Sequence, residues 1–126
     1  MPFVKIHLST ANQPKDCERL VSDVRRALVE VLGIKPDHGH VVVYTSSPEM
    51  RCCHEHRDQG FVFVEILMFK GRSHDRKERL FRALSNIVQD HTGVPDRDII
   101  LNIIDTDRAD WASRGGIPMS KRSLED

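Results

Sequence analysis

The sequence predicts an α+β fold: two βαβ units in tandem, forming one four-stranded sheet with two helices on one face. Three observations carry this. The chain matches itself without a gap when shifted by sixty positions: Phe3-Val4-Lys5-Ile6 falls on Phe63-Val64-Glu65-Ile66, Glu18-Arg19-Leu20 on Glu78-Arg79-Leu80, and Gly33-Ile34 on Gly93-Val94. Such periodicity is the signature of a repeated supersecondary unit. Each half also runs from a β-type stretch through a helix-type face to a second β-type stretch. Finally, 126 residues with 39% apolar and 30% charged side chains are the size and composition of one globular domain.

The elements follow in order. Phe3 to Leu8 alternates as a half-buried strand does. Between Lys15 and Leu32, apolar residues recur at Leu20, Val24, Leu28, Val31 and Leu32, one face of a helix. Gly33 stands where a helix end wants a residue free to take positive φ. Val41 to Tyr44 is the closing strand. The polar, aperiodic stretch 46–60 is a linker loop between repeat 1 (about 3–45) and repeat 2 (about 61–105). In the second repeat Phe61 to Phe69 is a nearly continuous apolar run, and Ser73 is a candidate N-cap. Leu80, Leu84, Ile87 and Val88 mark the helix, Gly93 its end, and Ile99 to Ile104 the last strand. Residues 106–126 form a C-terminal segment, with a mobile tail expected from Ser120.

Two βαβ units place both helices on one side of the sheet. The strands nonetheless carry apolar residues on both faces, so oligomerisation through the bare face is expected. A ferredoxin-like binding module without chemistry also satisfies a doubled βαβ pattern of this length.

Nineteen basic residues balance nineteen acidic ones, which argues against a nucleic-acid partner. No apolar run is long enough to span a membrane, and the start lacks a signal-peptide pattern. Three cysteines, two of them adjacent, make no disulfide framework. A cytoplasmic protein is expected. Cys52-Cys53-His54-Glu55-His56 contains metal-ligand side chains without the spacing of a structural zinc site, so no metal is assigned.

Two features carry chemistry. Pro2 directly precedes a strand, and removal of Met1 would leave it a free secondary amine. Burial or a nearby cation lowers the pKa of such an amine and makes it a workable general base. The second feature is Phe69-Lys70-Gly71-Arg72-Ser73 at a strand-to-helix turn, where two cations and free N–H groups can hold a carboxylate. The matching first-half positions are Thr10, Ala11 and Asn12, so only the second half has the cations. Taken alone, these are also what an ordinary solvated turn carries.

Pro2-Phe3-Val4-Lys5-Ile6, then Gly71-Arg72-Ser73 with Lys77-Glu78 in the next helix, resembles the tautomerase superfamily of the 4-oxalocrotonate tautomerase type. The fused-repeat branch fits best. Ala109-Asp110-Trp111 followed by Gly115-Gly116 is similar to the closing segment of the malonate semialdehyde decarboxylase group. The resemblance implies a homotrimer, no cofactor, Pro2 as general acid or base, and Arg72 as the group that binds or polarises a substrate carboxylate. Apart from the resemblance, Phe69, Tyr44 and Trp111 are each candidates for pocket wall, with core packing the other reading of all three. The decarboxylase group has an arginine where this chain has Lys70, which keeps the charge and loses the bidentate fork. It also has a water-activating aspartate where this chain has His38, with Asp37 just before it. The expected reaction is therefore proton transfer on a small 2-oxo or enol carboxylic acid. Decarboxylation or hydration of a three-carbon oxo acid is the alternative.

Overall fold

The computed structural model describes residues 1–122. Strands β1 (Phe3–Ser9), β2 (His40–Ser46), β3 (Val62–Phe69) and β4 (Ile99–Thr106) form one sheet in the order β2-β1-β3-β4. Helix α1 (Cys17–Leu32) connects the parallel pair β1 and β2, and α2 (His74–Thr92) connects the parallel pair β3 and β4. The two units meet antiparallel along β1 and β3. Each βαβ keeps its strands adjacent, which distinguishes this sheet from a ferredoxin-like split βαβ.

The sixty-residue shift is preserved in the strand register. Phe3 pairs with His40 and Phe63 with Ile100. Lys5 and Glu65 pair directly across the central strands and mark the local twofold axis.

Alternation decides what is buried. Val4, Ile6 and Leu8 of β1 and Val62, Val64, Ile66 and Met68 of β3 face the helices with no exposure. They meet Leu20, Val24 and Leu28 of α1 and Leu80, Leu84 and Val88 of α2, all equally buried. Each such side chain contributes about 1.5–3 kcal/mol of transfer free energy. Asp16 caps α1 by accepting from the Arg19 N–H, one residue inside the start expected from periodicity. Ser73 caps α2 by accepting from the Arg76 N–H. Gly33 and Gly93 end the helices at positive φ, as the sequence predicts.

The opposite face is bare in the single chain. Phe3, Lys5, His7, Tyr44, Phe63 and Glu65 lie on it, with Val42, Tyr44 and Ile104 substantially exposed. The His7 ring stacks between Tyr44 and Phe63, and its Nε2 hydrogen-bonds Glu65 Oε2 at 2.7 Å.

The stretch 46–60 holds a 3-10 turn, Pro48–Met50, and is tied down by Arg51, whose Nε donates to Ser46 Oγ at 3.0 Å. After β4 come a 3-10 turn at Arg108–Asp110 and a small hairpin of β5 (Ala112–Ser113) and β6 (Ile117–Pro118). Ser120 belongs to a last 3-10 turn, Met119–Lys121, anchored by buried Met119, so the chain is still packed where a tail was expected to begin. The rest of that tail, 123–126, lies outside the described residues. No helix among the described residues is long and apolar enough to cross a membrane.

Candidate active site

A cavity of about 1100 Å³ opens where β1 begins, β3 ends and α1 gives way to β2. The C-terminal hairpin supplies its remaining wall. Of the side chains singled out in the sequence, it brings together Arg72, Lys70, His38, Asp37, Phe69 and Trp111. Pro2 is buried directly behind Met1, which lines the cavity, and the Pro2 carbonyl accepts from the His40 N–H at 3.0 Å. Tyr44 lies on the bare sheet face instead, against His7.

The turn after β3 builds the cationic side. Gly71 at φ +117° lets the chain leave the strand and enter α2. Arg72 is half-buried, and its Nη1 donates to the Phe69 carbonyl at 3.0 Å. Burial holds its pKa below the usual arginine value, with neighbouring Arg76 acting the same way and Asp105 opposing. Lys70 is held differently. Its side chain is 71% exposed, and its Nζ pairs with Asp107 Oδ1 at 2.5 Å, which raises its pKa.

The Met1 amine faces this charge. Its pKa is lowered first by burial, then by Arg72 and Arg108. An amine held there is free of its proton at lower pH than usual, as a general base requires.

Phe69 and Trp111 meet edge to face, centroids 6.4 Å apart at 86°. Trp111 Nε1 donates to Thr106 Oγ1 at 2.6 Å, and Thr106 donates onward to the Met68 carbonyl at 2.9 Å. The indole is thereby fixed as wall. His38 Nε2 stands 4.0 Å from Asp37 Oδ1, and the Asp37 side chain is 81% exposed.

Sequence reasoning passed over Arg108, Arg76, Arg122 and His40, all of which line the cavity. Arg108 stacks its guanidinium 4.9 Å over Phe69 and donates from Nη2 to the Met119 carbonyl at 3.0 Å. Arg76 donates to the Leu32 carbonyl at the end of α1, and Arg122 to Ser113 Oγ. Among the described residues none of Arg72, Arg76, Arg108 and Arg122 is ion-paired to a carboxylate, so the cavity is positive in a chain of zero net charge. A signal for Arg108 was present: its counterpart under the repeat is Pro48, so the cation is specific to one half. Among the described residues no group of three or more His, Cys, Asp or Glu side chains is placed to hold a metal, and Cys53 Sγ instead contacts the Arg57 carbonyl.

The family model described as "Tautomerase enzyme" matches residues 46–114. A probable tautomerase of Bacillus subtilis (strain 168), YrdN, is 22% identical over 117 residues, covering 89% of this chain and 90% of that protein. Among solved structures, a fused 4-OT wild-type symmetric trimer superposes with a TM-score of 0.82 at 16% identity, covering 95% of this chain and 99% of the other. FG41 malonate semialdehyde decarboxylase inhibited by 3-bromopropiolate superposes with a TM-score of 0.74 at 22% identity, covering 87% of each chain. The match to the family model extends over more than half of the sequence and takes in the strand-to-helix turn with Arg72 and the segment through Trp111, and the chain belongs to the tautomerase enzyme family.

Proposed function

We propose that the protein is a cofactor-independent tautomerase of small 2-oxo or enol carboxylic acids, with Pro2 as its proton carrier once Met1 is removed. The observation that carries this reading is the place of Pro2: it is buried directly behind Met1, whose own amine is partly buried beside Arg72 and Arg108 at the mouth of a cationic cavity, so that loss of Met1 would turn the Pro2 nitrogen toward the same charges. The neutral amine takes the proton from the carbon next to the substrate carbonyl. The electron pair moves onto the carbonyl oxygen as an enolate, and the ammonium returns its proton to the other end of the system. Arg72 stabilises the charge that develops on oxygen, an interaction stronger in the transition state than in the ground state. Phe69 and Trp111 exclude water from one side of the site.

Decarboxylation or hydration of a three-carbon oxo acid is the second reading, favoured by Asp37 and His38 in the same cavity. Carbon dioxide release from malonate semialdehyde distinguishes it. The bare sheet face, with Val42, Tyr44 and Ile104 exposed, supports assembly as a homotrimer, the state of the fused 4-OT relative. A monodisperse monomer in sedimentation at micromolar concentration would rule that assembly out. Three free cysteines suit the reducing cytoplasm.

Mass spectrometry of the purified chain, paired with tautomerisation assays on phenylpyruvate and 2-hydroxymuconate, tests the mechanism. Chains beginning at Pro2 are expected to turn over. In chains retaining Met1 the Pro2 nitrogen is a tertiary amide, and these are expected to be inactive with fold and assembly intact. Full activity with Met1 attached would refute the role of Pro2.

A further inference from the structure

We propose that Arg108, rather than Lys70, is the second cation of the substrate site and closes with Arg72 on one carboxylate. This rests on the reading of the cavity as a carboxylate site. Two adjacent residues divide the work. Asp107 reaches back to Lys70 at 2.5 Å and neutralises it at the exposed rim. Arg108 turns the other way, into the cavity, where it has no carboxylate partner among the described residues.

The guanidinium is also held in place. Its flat face lies 4.9 Å over Phe69, and Nη2 is bonded to the Met119 carbonyl at 3.0 Å. That single bond leaves other N–H donors free for a ligand, since a guanidinium carries five. Arg72 is anchored in the same manner, one N–H on the Phe69 carbonyl, so both guanidinia are fixed about Phe69 before any ligand arrives. Two pre-placed planar forks suit a carboxylate better than the flexible point charge of a lysine. The Met1 amine, one residue ahead of the Pro2 nitrogen, feels both arginines, which places them near the proposed reacting amine.

The test separates this inference from the proposed reaction by using oxamate, a carboxylate with an adjacent carbonyl and no carbon-bound proton to lose. Calorimetric titration of the purified protein is expected to show Arg108→Gln binding oxamate about 10–100-fold more weakly, the range for losing a charged hydrogen-bond partner. Lys70→Ala is expected to change affinity by less than about threefold, as for an exposed pair. Arg108→Gln keeps a donor for the Met119 carbonyl, and Arg108→Lys should recover part of the affinity. A second readout is the pH dependence of alkylation of the terminal amine, whose midpoint should rise in Arg108→Gln and stay in place in Lys70→Ala. A merely structural Arg108 would leave that midpoint unmoved. Equal or greater loss in Lys70→Ala, or unchanged oxamate affinity in Arg108→Gln, overturns the assignment. Absence of turnover by the wild type would fell the proposed reaction while leaving the oxamate comparison decisive here.

Discussion

The two ends of the central strand pair are equivalent under the sixty-residue repeat, yet among the described residues the cavity of about 1100 Å³ lies at one of them. At the open end the chain starts ahead of Phe3, and Arg72 projects from the turn after β3. At the other end, position 12 carries asparagine, whose Nδ2 donates to the Gly60 carbonyl at 3.0 Å and plugs the corresponding space. The bracing is shared: Trp111 donates to Thr106 Oγ1, and its counterpart Arg51 donates to the matching hydroxyl of Ser46. Arg51 also lies 4.1 Å over the ring of Phe61 and bonds the Gln59 carbonyl, so its charge secures the chain and is directed away from any ligand. One backbone plan thus yields an open end or one tied down by its own side chains. What separates them is the placement of a few cations and of Asn12.

The strongest way to break this comparison is to exchange the side chains. Arg72→Asn makes the open end resemble the sealed one, and kcat/KM for a 2-oxo acid should fall about a hundredfold or more, the usual loss for one oxyanion-stabilising donor. Asn12→Arg should add no activity, because the chain runs through Gly60 there and offers no amine; steady-state kinetics on both variants measures the contrast. A gain in Asn12→Arg would show that the cation alone makes a site.

Gly60→Ala probes the plug. A Cβ at Gly60 would come 2.1 Å from Asn12 Nδ2, forcing the amide off the Gly60 carbonyl. Stability should drop by about 1–2 kcal/mol, the cost of one lost hydrogen bond and the group it leaves unpaired. Denaturant unfolding of Gly60→Ala, Asn12→Ala and the double variant should show less than additive losses, with activity at the open end unchanged.

The pH profile of the open end sharpens the contrast further. Burial and two arginines lower the pKa of the Met1 amine; the Pro2 amine of a chain without Met1 is expected to meet the same arginines, so the acid limb of kcat/KM should lie below the ordinary amine value, with activity rising as that amine loses its proton. Arg72→Asn should move that limb upward.

The smallest effect is expected where the halves are clamped together. His91 Nε2 meets Asp23 Oδ2 at 2.8 Å across the two helices, whereas their repeat counterparts, Val31 and Ala83, are apolar. The hydrogen bond from His91 holds the Asp23 carboxyl below its usual pKa. A lowered folded-state pKa gives stability that is present above the unfolded value and lost as pH falls through the folded one. Asp23→Asn should therefore lower Tm slightly at neutral pH and leave it unchanged in acid, as thermal melts at the two pH values would show.

Local rules made much of the fold legible. Glycines 33 and 93, the Ser73 cap and the helical faces depend on residues close in sequence, and the register of the repeat carried through to the strand pairing. The apolar run through β3 was harder to apportion, because its continuity hid a strict alternation in which Phe63, Leu67 and Phe69 face away from the helices. The lining of the cavity was legible in part. Arg72 lies in a turn the sequence marks, whereas Arg108 joins the cavity wall through its stacking on Phe69 and its bond to Met119, a contact between segments that only tertiary packing brings together. Lys70 showed the converse, since nothing local to the turn indicates that Asp107 will claim its charge.

Phe3, His40 and Phe69 lie on the bare face of the sheet and also line the cavity. The surface proposed to associate and the surface proposed to bind substrate therefore share side chains. On those two proposals, catalysis would obey mass action in protein as well as in substrate: dilution below the dissociation constant would lower output per chain, and a ligand that favours the assembled form would draw separated chains back together.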